Sequence, residues 1–412
     1  MRDVYIIGIG MTPFGRHLEK TLGDLAREAV TAALDNCGVK STEVQALFYA
    51  NTAQGAIEGQ HGIKAQHALR PLGFDGVPMV NVEDACSGSA VALNLAVTQV
   101  ASGIADVAMA VGVEKLNTKD AAKRYAAFNQ PADVASVQSF VDKYMPLAEA
   151  TPIPADVVID PAMRSIFMDA YSIAARLHMK KYGTTWKQIA AVAVKNHGHS
   201  TMNPMAQFQK AMSMEEILAG KVISWPLTIP MCSPISDGAA AVVVCSGEAL
   251  ARFAGSQPVK VLASVIRGGS NRDLADGEHA AVHLAAMTAY EKAGITPGDV
   301  SLAEVHDASA YAEIAHSEYL GLCAFGEGGP LAESGATTLG GRIPINVSGG
   351  LESRGHPVAA TGLAQIYELV TQLRGEAGAR QVAGARIGVA SNGGGFIGVE
   401  DAVCCVTILG KV

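Results

Sequence analysis

The chain has 412 residues, 49% of them hydrophobic and 17% charged, so it can bury a large core and is long enough for two or three domains. A formal net charge of -8 without any Lys/Arg run gives no electrostatic footprint for DNA or RNA and excludes nucleic acid as an expected partner. The seven cysteines are an odd set with no Cys-x-x-Cys pair, which argues against a disulfide framework or a zinc site and fits a reducing compartment.

Residues 4–10 form an apolar run too short for a signal-peptide core with a cleavage site, and predict a buried strand. A helix over 22–36 and a strand over 46–49 follow. Short β-branched runs alternate with Ala-rich helical stretches from there on, which predicts α/β architecture with parallel sheets. Asn81-Val82 ends a further strand, and small residues after Cys86 open a helix to about residue 100. Between about 115 and 230 the pattern changes to scattered Met, Tyr, Phe and Pro among amphipathic segments such as 163–181, and predicts an inserted loop domain. Asp237-Gly238 and the run 239–245 return to strand character, and 258–264 opens a second half. No stretch approaches the ~18–20 apolar residues of a membrane-spanning helix, so a cytoplasmic chain without membrane contact is expected.

An internal repeat organises these elements. Gly38, Val39, Glu43 and Val44 match Gly294, Ile295, Asp299 and Val300 within two helix–turn–strand stretches, 26–50 and 285–306. Asn81-Val82 precedes a loop with Cys86 and an Ala-rich helix, while Asn346-Val347 precedes a loop with His356 and another. The expected division is a first half, 1–255, carrying the insertion at about 115–230, and a second half, 256–412.

Four segments carry candidate chemistry. Cys86 lies in a strand–turn–helix elbow, where helix N–H groups stabilise a thiolate and can lower a thiol pKa of ~8.5 into the range ~3.5–7.5; a small cysteine packing a helix start is the plain alternative. His356, between Gly355 and Pro357, could take the proton of Cys86, or be merely a hydrogen-bonded loop residue. His306 ends the strand 303–305, where α/β sites gather, or is a core histidine satisfied by Asp307. Gly393 to Gly395 after the strand 387–389 leave backbone N–H groups open to a substrate oxygen, or form a simple tight turn. Cys404 and Cys405, adjacent in an apolar strand, read as core.

In this order and over the whole chain, these segments resemble the thiolase superfamily: the Cys86 elbow, Gly355-His356-Pro357 and the Gly-rich run Gly393 to Gly395, with Val194-Lys195-Asn196-His197 and Asp237-Gly238-Ala239-Ala240 also similar. His306-Asp307 resembles the sterol-carrier-protein-type branch. The resemblance implies a duplicated, five-layered αβαβα fold with an inserted loop domain, coenzyme A as a substrate, no metal in this chain, and a homodimer or larger assembly. It implies that Cys86 forms an acyl-enzyme with His356 as its base, that His306 and His356 donate to one oxyanion, and that the N–H groups of Cys86 and Gly393 donate to the other.

The sequence departs from the family where a second reactive cysteine is expected. Ser391 and Ala308 stand there, and a hydroxyl is far less acidic than a thiol, so Ser391 joins a proton relay only if strongly activated. Thiolase-like subunits without that cysteine work beside a small zinc-ribbon/OB-fold partner, and the chain is similar to two such kinds, a benzoylsuccinyl-CoA thiolase and a phloroglucinol acetyltransferase. The expected function is CoA-dependent thiolytic cleavage of a 3-oxoacyl-CoA, or the reverse Claisen condensation, with an aromatic substrate such as benzoylsuccinyl-CoA. A C-acyltransferase without thiolysis and a non-catalytic scaffold or lipid-binding subunit are the alternatives. Coenzyme A contacts are unassigned; Lys119, Lys123 and Arg124 are candidates, or simply solvated charges.

Overall fold

The computed structural model describes residues 2–120, 122–124, 127, 137–149, 151–155, 157–159 and 165–412. Strand β1 (Val4–Met11) leads to helix α1 (Leu22–Cys37), then β2 (Ala46–Ala50), β3 (Met79–Val82), α2 (Gly88–Ala101) and β4 (Val107–Glu114). After the insertion, which carries α3 (Ile166–Tyr182) and α4 (Trp186–Ser200), come β5 (Gly238–Ser246) and β6 (Val259–Gly268). The chain continues with α5 (Ala281–Ala293), β7 (Leu302–Glu304), α6 (Ala310–Tyr319), α7 (Thr361–Arg374), β8 (Ile387–Gly394) and β9 (Val403–Lys411).

The strands hydrogen-bond in the order β3-β2-β4-β5-β1-β6-β9-β8-β7. The seam between β1 and β6 consists of two residue pairs, Tyr5 with Lys260 and Ile6 with Val259. Either side of it the order repeats: β1, β5, β4, β2, β3 outward on one side, and β6, β9, β8, β7 on the other, where Ile345 bridges Ala303 in parallel at the place corresponding to β3. The expectation of parallel sheets is corrected. β2 pairs in parallel with β3 and β4, but β1 with β5, β4 with β5, β6 with β9 and β8 with β9 are antiparallel. Helical crossovers force parallel neighbours only where they connect them, and β8 reaches β9 through a loop.

Five layers result. One core joins α1 to one face of the first strand set through Leu25, Ala29 and Val30 against Ile7, Met109 and Val243. A central core sandwiches α2 and α7 between the two strand sets, with Leu93, Leu363 and Leu369 meeting Val242, Val261 and Cys405. A third lays α5 on the far face of the second set, where Cys404 is buried. The Thr21–Asp24 capping box starts α1 and Gly38, at φ +69°, ends it. α1 lies so close to β1 that a Cβ on Gly8 or Gly10 would fall 2.4 Å from Ala33 O or 2.2 Å from Ala29 O. Of the predicted amphipathic segment 163–181, residues 163 and 164 lie outside the described residues, as do parts of 115–164; the remainder is α3. Among the described residues no helix is long and apolar enough to cross a membrane.

Candidate active site

β3 ends at Val82, and the chain enters a short turn, Ala85–Ser87, before α2 begins at Gly88. Ala85 is held at φ +47°, a left-handed conformation that costs an alanine roughly 1–2 kcal/mol. This strained elbow keeps Cys86 partly exposed between the buried Ala85 and Ser87. The Cys86 thiol is not depressed as its helix position predicts. It is pushed up to about 12, first by burial and then by Asp401 and Glu114, against which the N–H of Gly395 donated to Sγ is the weaker influence. Cys86 therefore rests as a neutral thiol, and any reaction at its sulfur needs a neighbour that takes the proton.

That neighbour is at hand: Sγ of Cys86 and ring nitrogens of His306 and His356 all lie within 4.8 Å of one another. His356 is placed by a tight path in which Gly355 adopts φ +112° and Ser236 Oγ accepts the His356 N–H at 2.9 Å. Thr361 Oγ1 donates to Pro357 O, so it can only accept from Nδ1–H of His356, at 2.7 Å. Nε2 is left as a bare acceptor. Burial, with Arg354 nearby, lowers this imidazole to about 3, so it rests neutral. His306 takes the opposite tautomer: its Nδ1 accepts from Asn392 Nδ2 at 3.0 Å, leaving Nε2–H as a donor. Burial and the neighbouring His356 and His316 hold it well below the usual imidazole range. The two rings meet edge-on with centroids 5.3 Å apart.

Asp307 does not satisfy His306. It accepts from Leu351 N at 2.7 Å and Asn196 Nδ2 at 3.0 Å. It belongs to a buried network in which Lys195 Nζ donates to Ile345 O at 2.7 Å and Glu313 accepts from Lys195, Asn196 and Asn346. Lys195 and Asn196 thus sit on helix α4, joined through this network to Asp307 beside His306.

Gly393 and Gly394 are strand residues, where a loop was expected; only Gly395 turns, at φ +68°. They are small so that β8 can pass the elbow. A Cβ on Gly394 would lie 2.4 Å from Asp84 O and Ser87 N, and one on Gly393 2.2 Å from Asp401 Oδ2. Ser391 is fully buried, with its Oγ 2.8 Å from Nδ1 of His316 on α6. Lys119 and Lys123 face solvent, and Arg124 is half-buried. The thiol and two imidazoles would suit a transition-metal ion as donors, but the N–H of Gly395 and the start of α2 direct positive dipoles at the sulfur and oppose a cation.

A cavity of about 460 Å³ has Phe140, Phe167, Tyr182, Phe325 and Phe396 among its walls, with Tyr171, His316, Gly395 and Asp401; Cys86, His306 and His356 do not line it, and Gly395, whose N–H reaches Cys86 Sγ, links it to the cluster. Tyr171, His316 and Asp401 escaped the sequence reading. No motif flanks them, and they come from three separate places in the chain: Tyr171 from α3, His316 from α6 and Asp401 from the turn after β8.

The model of the thiolase N-terminal domain matches residues 4–218, and that of the thiolase C-terminal domain-like family matches residues 268–410. The chain is 39% identical to an acetyl-CoA acetyltransferase of Methanothermobacter thermautotrophicus, over 96% of this chain and 97% of that protein. It is 35% identical to the benzoylsuccinyl-CoA thiolase subunit BbsB of Thauera aromatica, over 92% and 91%. Among solved structures, the Ltp2-ChsH2(DUF35) aldolase superposes with a TM-score of 0.75 at 23% identity, covering 99% of this chain and 98% of that one. Matched in both family models and along nearly its whole length by these relatives, the chain belongs to the thiolase superfamily and is an acyltransferase.

Proposed function

We propose that the chain catalyses CoA-dependent thiolytic cleavage of a 3-oxoacyl-CoA, or the reverse Claisen condensation, through an acyl-enzyme on Cys86. The observation that carries this is the juxtaposition of the Cys86 thiol with an acceptor nitrogen on His356 and a donor on His306. His356 takes the thiol proton and Cys86 adds to the 3-oxo carbon, whose oxygen is met by the N–H groups of Cys86 and Gly393. The C2–C3 bond breaks, and its electron pair passes to the thioester oxygen as an enolate facing the His306 donor. The coenzyme A thiol then attacks the acyl group and releases Cys86.

The aromatic walls of the cavity support a bulky, aromatic acyl group such as that of benzoylsuccinyl-CoA. A small zinc-ribbon/OB-fold partner belongs to this reading: the Thauera relative is a subunit, and the aldolase names two components. The repeated strand order supports a division into units 1–255 and 256–412, and in this reading the insertion at about 115–230 helps to hold coenzyme A. A homodimer is supported by β3, which is the sheet's open edge and leaves Val80 47% exposed.

Intact-protein mass spectrometry after mixing the chain with 3-oxoacyl-CoAs, aromatic ones included, tests the reading. An acyl mass on wild type that is missing from Cys86→Ala is expected. No adduct with any of them, with a zinc-ribbon/OB-fold subunit added, would leave the scaffold reading standing.

A further inference from the structure

The acyl-enzyme route leaves one proton without a carrier, the one that C2 gains on cleavage and loses on condensation. Ser391 is poorly placed for it, because its hydroxyl is buried on His316. We propose that Asp401, in the turn between β8 and β9, carries that proton. The assignment rests on the Cys86 acyl-enzyme reading and extends it.

Four observations place the carboxyl there. Asp401 packs on Gly393, whose missing side chain leaves the space that Oδ2 fills. It lines the cavity together with Gly395, the residue whose N–H reaches Cys86 Sγ. It lies within electrostatic reach of both Cys86 and Tyr171. Among the described residues no hydrogen bond holds its carboxyl oxygens, unlike Glu400 beside it, which is bound by Arg272 and by the N–H of Ser270. A half-buried carboxyl without hydrogen-bond partners, on the wall of the neighbouring cavity, is open to a ligand's proton.

The charged and titratable groups facing it are Glu400, Arg272, Cys86, Tyr171 and Cys404. Burial first, and Glu400 second, raise it to about 7, which suits a group that must both give and take a proton near neutrality. On cleavage, the Asp401 carboxyl gives its proton to C2 of the enolate and becomes a carboxylate. That carboxylate accepts the proton of the incoming coenzyme A thiol, whose sulfur bonds to the acyl carbon. The departing Cys86 thiolate recovers its own proton from His356.

The test incubates wild type, Asp401→Asn, Asp401→Glu and Ser391→Ala with acetyl-CoA and succinyl-CoA in D2O. Mass spectrometry then reads deuterium at C2 and the acyl adduct on Cys86. The expected result is that Asp401→Asn still gains the adduct but loses deuterium exchange by at least about 100-fold, with partial rescue in Asp401→Glu. Exchange by Asp401→Asn within about threefold of wild type, or a deeper loss in Ser391→Ala, overturns the proposal. Wild type without any adduct overturns the Cys86 reading and this assignment together, an outcome distinct from an intact adduct with undiminished exchange.

Discussion

At the scale of single residues, the site works by fixing protons before substrate arrives. Thr361 spends its one hydroxyl proton on Pro357 O, and thereby decides which nitrogen of His356 is bare. Thr361→Val keeps the shape and removes that decision. It is expected to lower kcat by about 10- to 100-fold with little change in KM, while Thr361→Ser retains most activity. A rise in KM alone would show that Thr361 serves substrate binding instead. Cys86 and His356 were readable from the sequence because glycines, prolines and small residues flank them in a recognisable order. The pairing of His356 with Thr361 was hidden, although only five positions apart, because it depends on the side chain's rotamer and not on its type. The elevation of the thiol is hidden for a related reason: the helix start is visible in sequence, whereas the carboxyl of Asp401 comes from the turn after β8 and that of Glu114 from the end of β4.

At the scale of elements, the repeat announces the duplicated unit but not the direction of its strands. Helix–turn–strand units are local and leave a local signature, whereas the antiparallel entry of β5 beside β1 and β4 is settled after the long insertion between β4 and β5. Three glycines in succession normally break a strand, which is why the sequence of β8 suggests a turn at Gly393. Here they continue the ladder, Gly393 opposite Cys404 and Gly394 opposite Val403, since the elbow leaves no room for side chains. The exposed edge of β3 yields its own prediction. Val80→Lys places a charge where a second copy would add a strand, and is expected to halve the mass seen by light scattering at micromolar concentration with an unchanged circular dichroism spectrum. A mass equal to wild type would exclude β3 as the contact.

For the whole molecule, the buried titratable groups set an unusual dependence of stability on pH. His197, His199, His306, His316 and His356 are all lowered by burial. The unfolded chain binds protons that the folded one refuses, so their contribution fades as pH falls below about 6.5. Glu114, Glu304, Asp307, Glu352 and Asp401 are all raised by burial. Their contribution is full below the unfolded carboxyl values near 4 and fades as pH rises, at about 1.4 kcal/mol per unit for each group. The two sets oppose each other between about pH 5 and 6.5, so Tm should be nearly level there. Above about pH 6.5 the imidazole contribution is level, while Glu114, Glu304 and Asp401, each raised to about 7, go on losing theirs, so Tm should decline through neutrality. A Tm higher at pH 8.5 than at pH 6 would mean that these carboxyls are ionised in the fold.

The thiol and its partners also enter the world at different times. Cys86 leaves the ribosome with the first strand set, long before His306, His356 and Gly395, which come from the second. A nascent chain therefore carries Cys86 without the two imidazoles that flank it in the finished fold. The cluster exists only once both strand sets are made and β8 lies against the elbow, so neither half alone can carry the proposed chemistry.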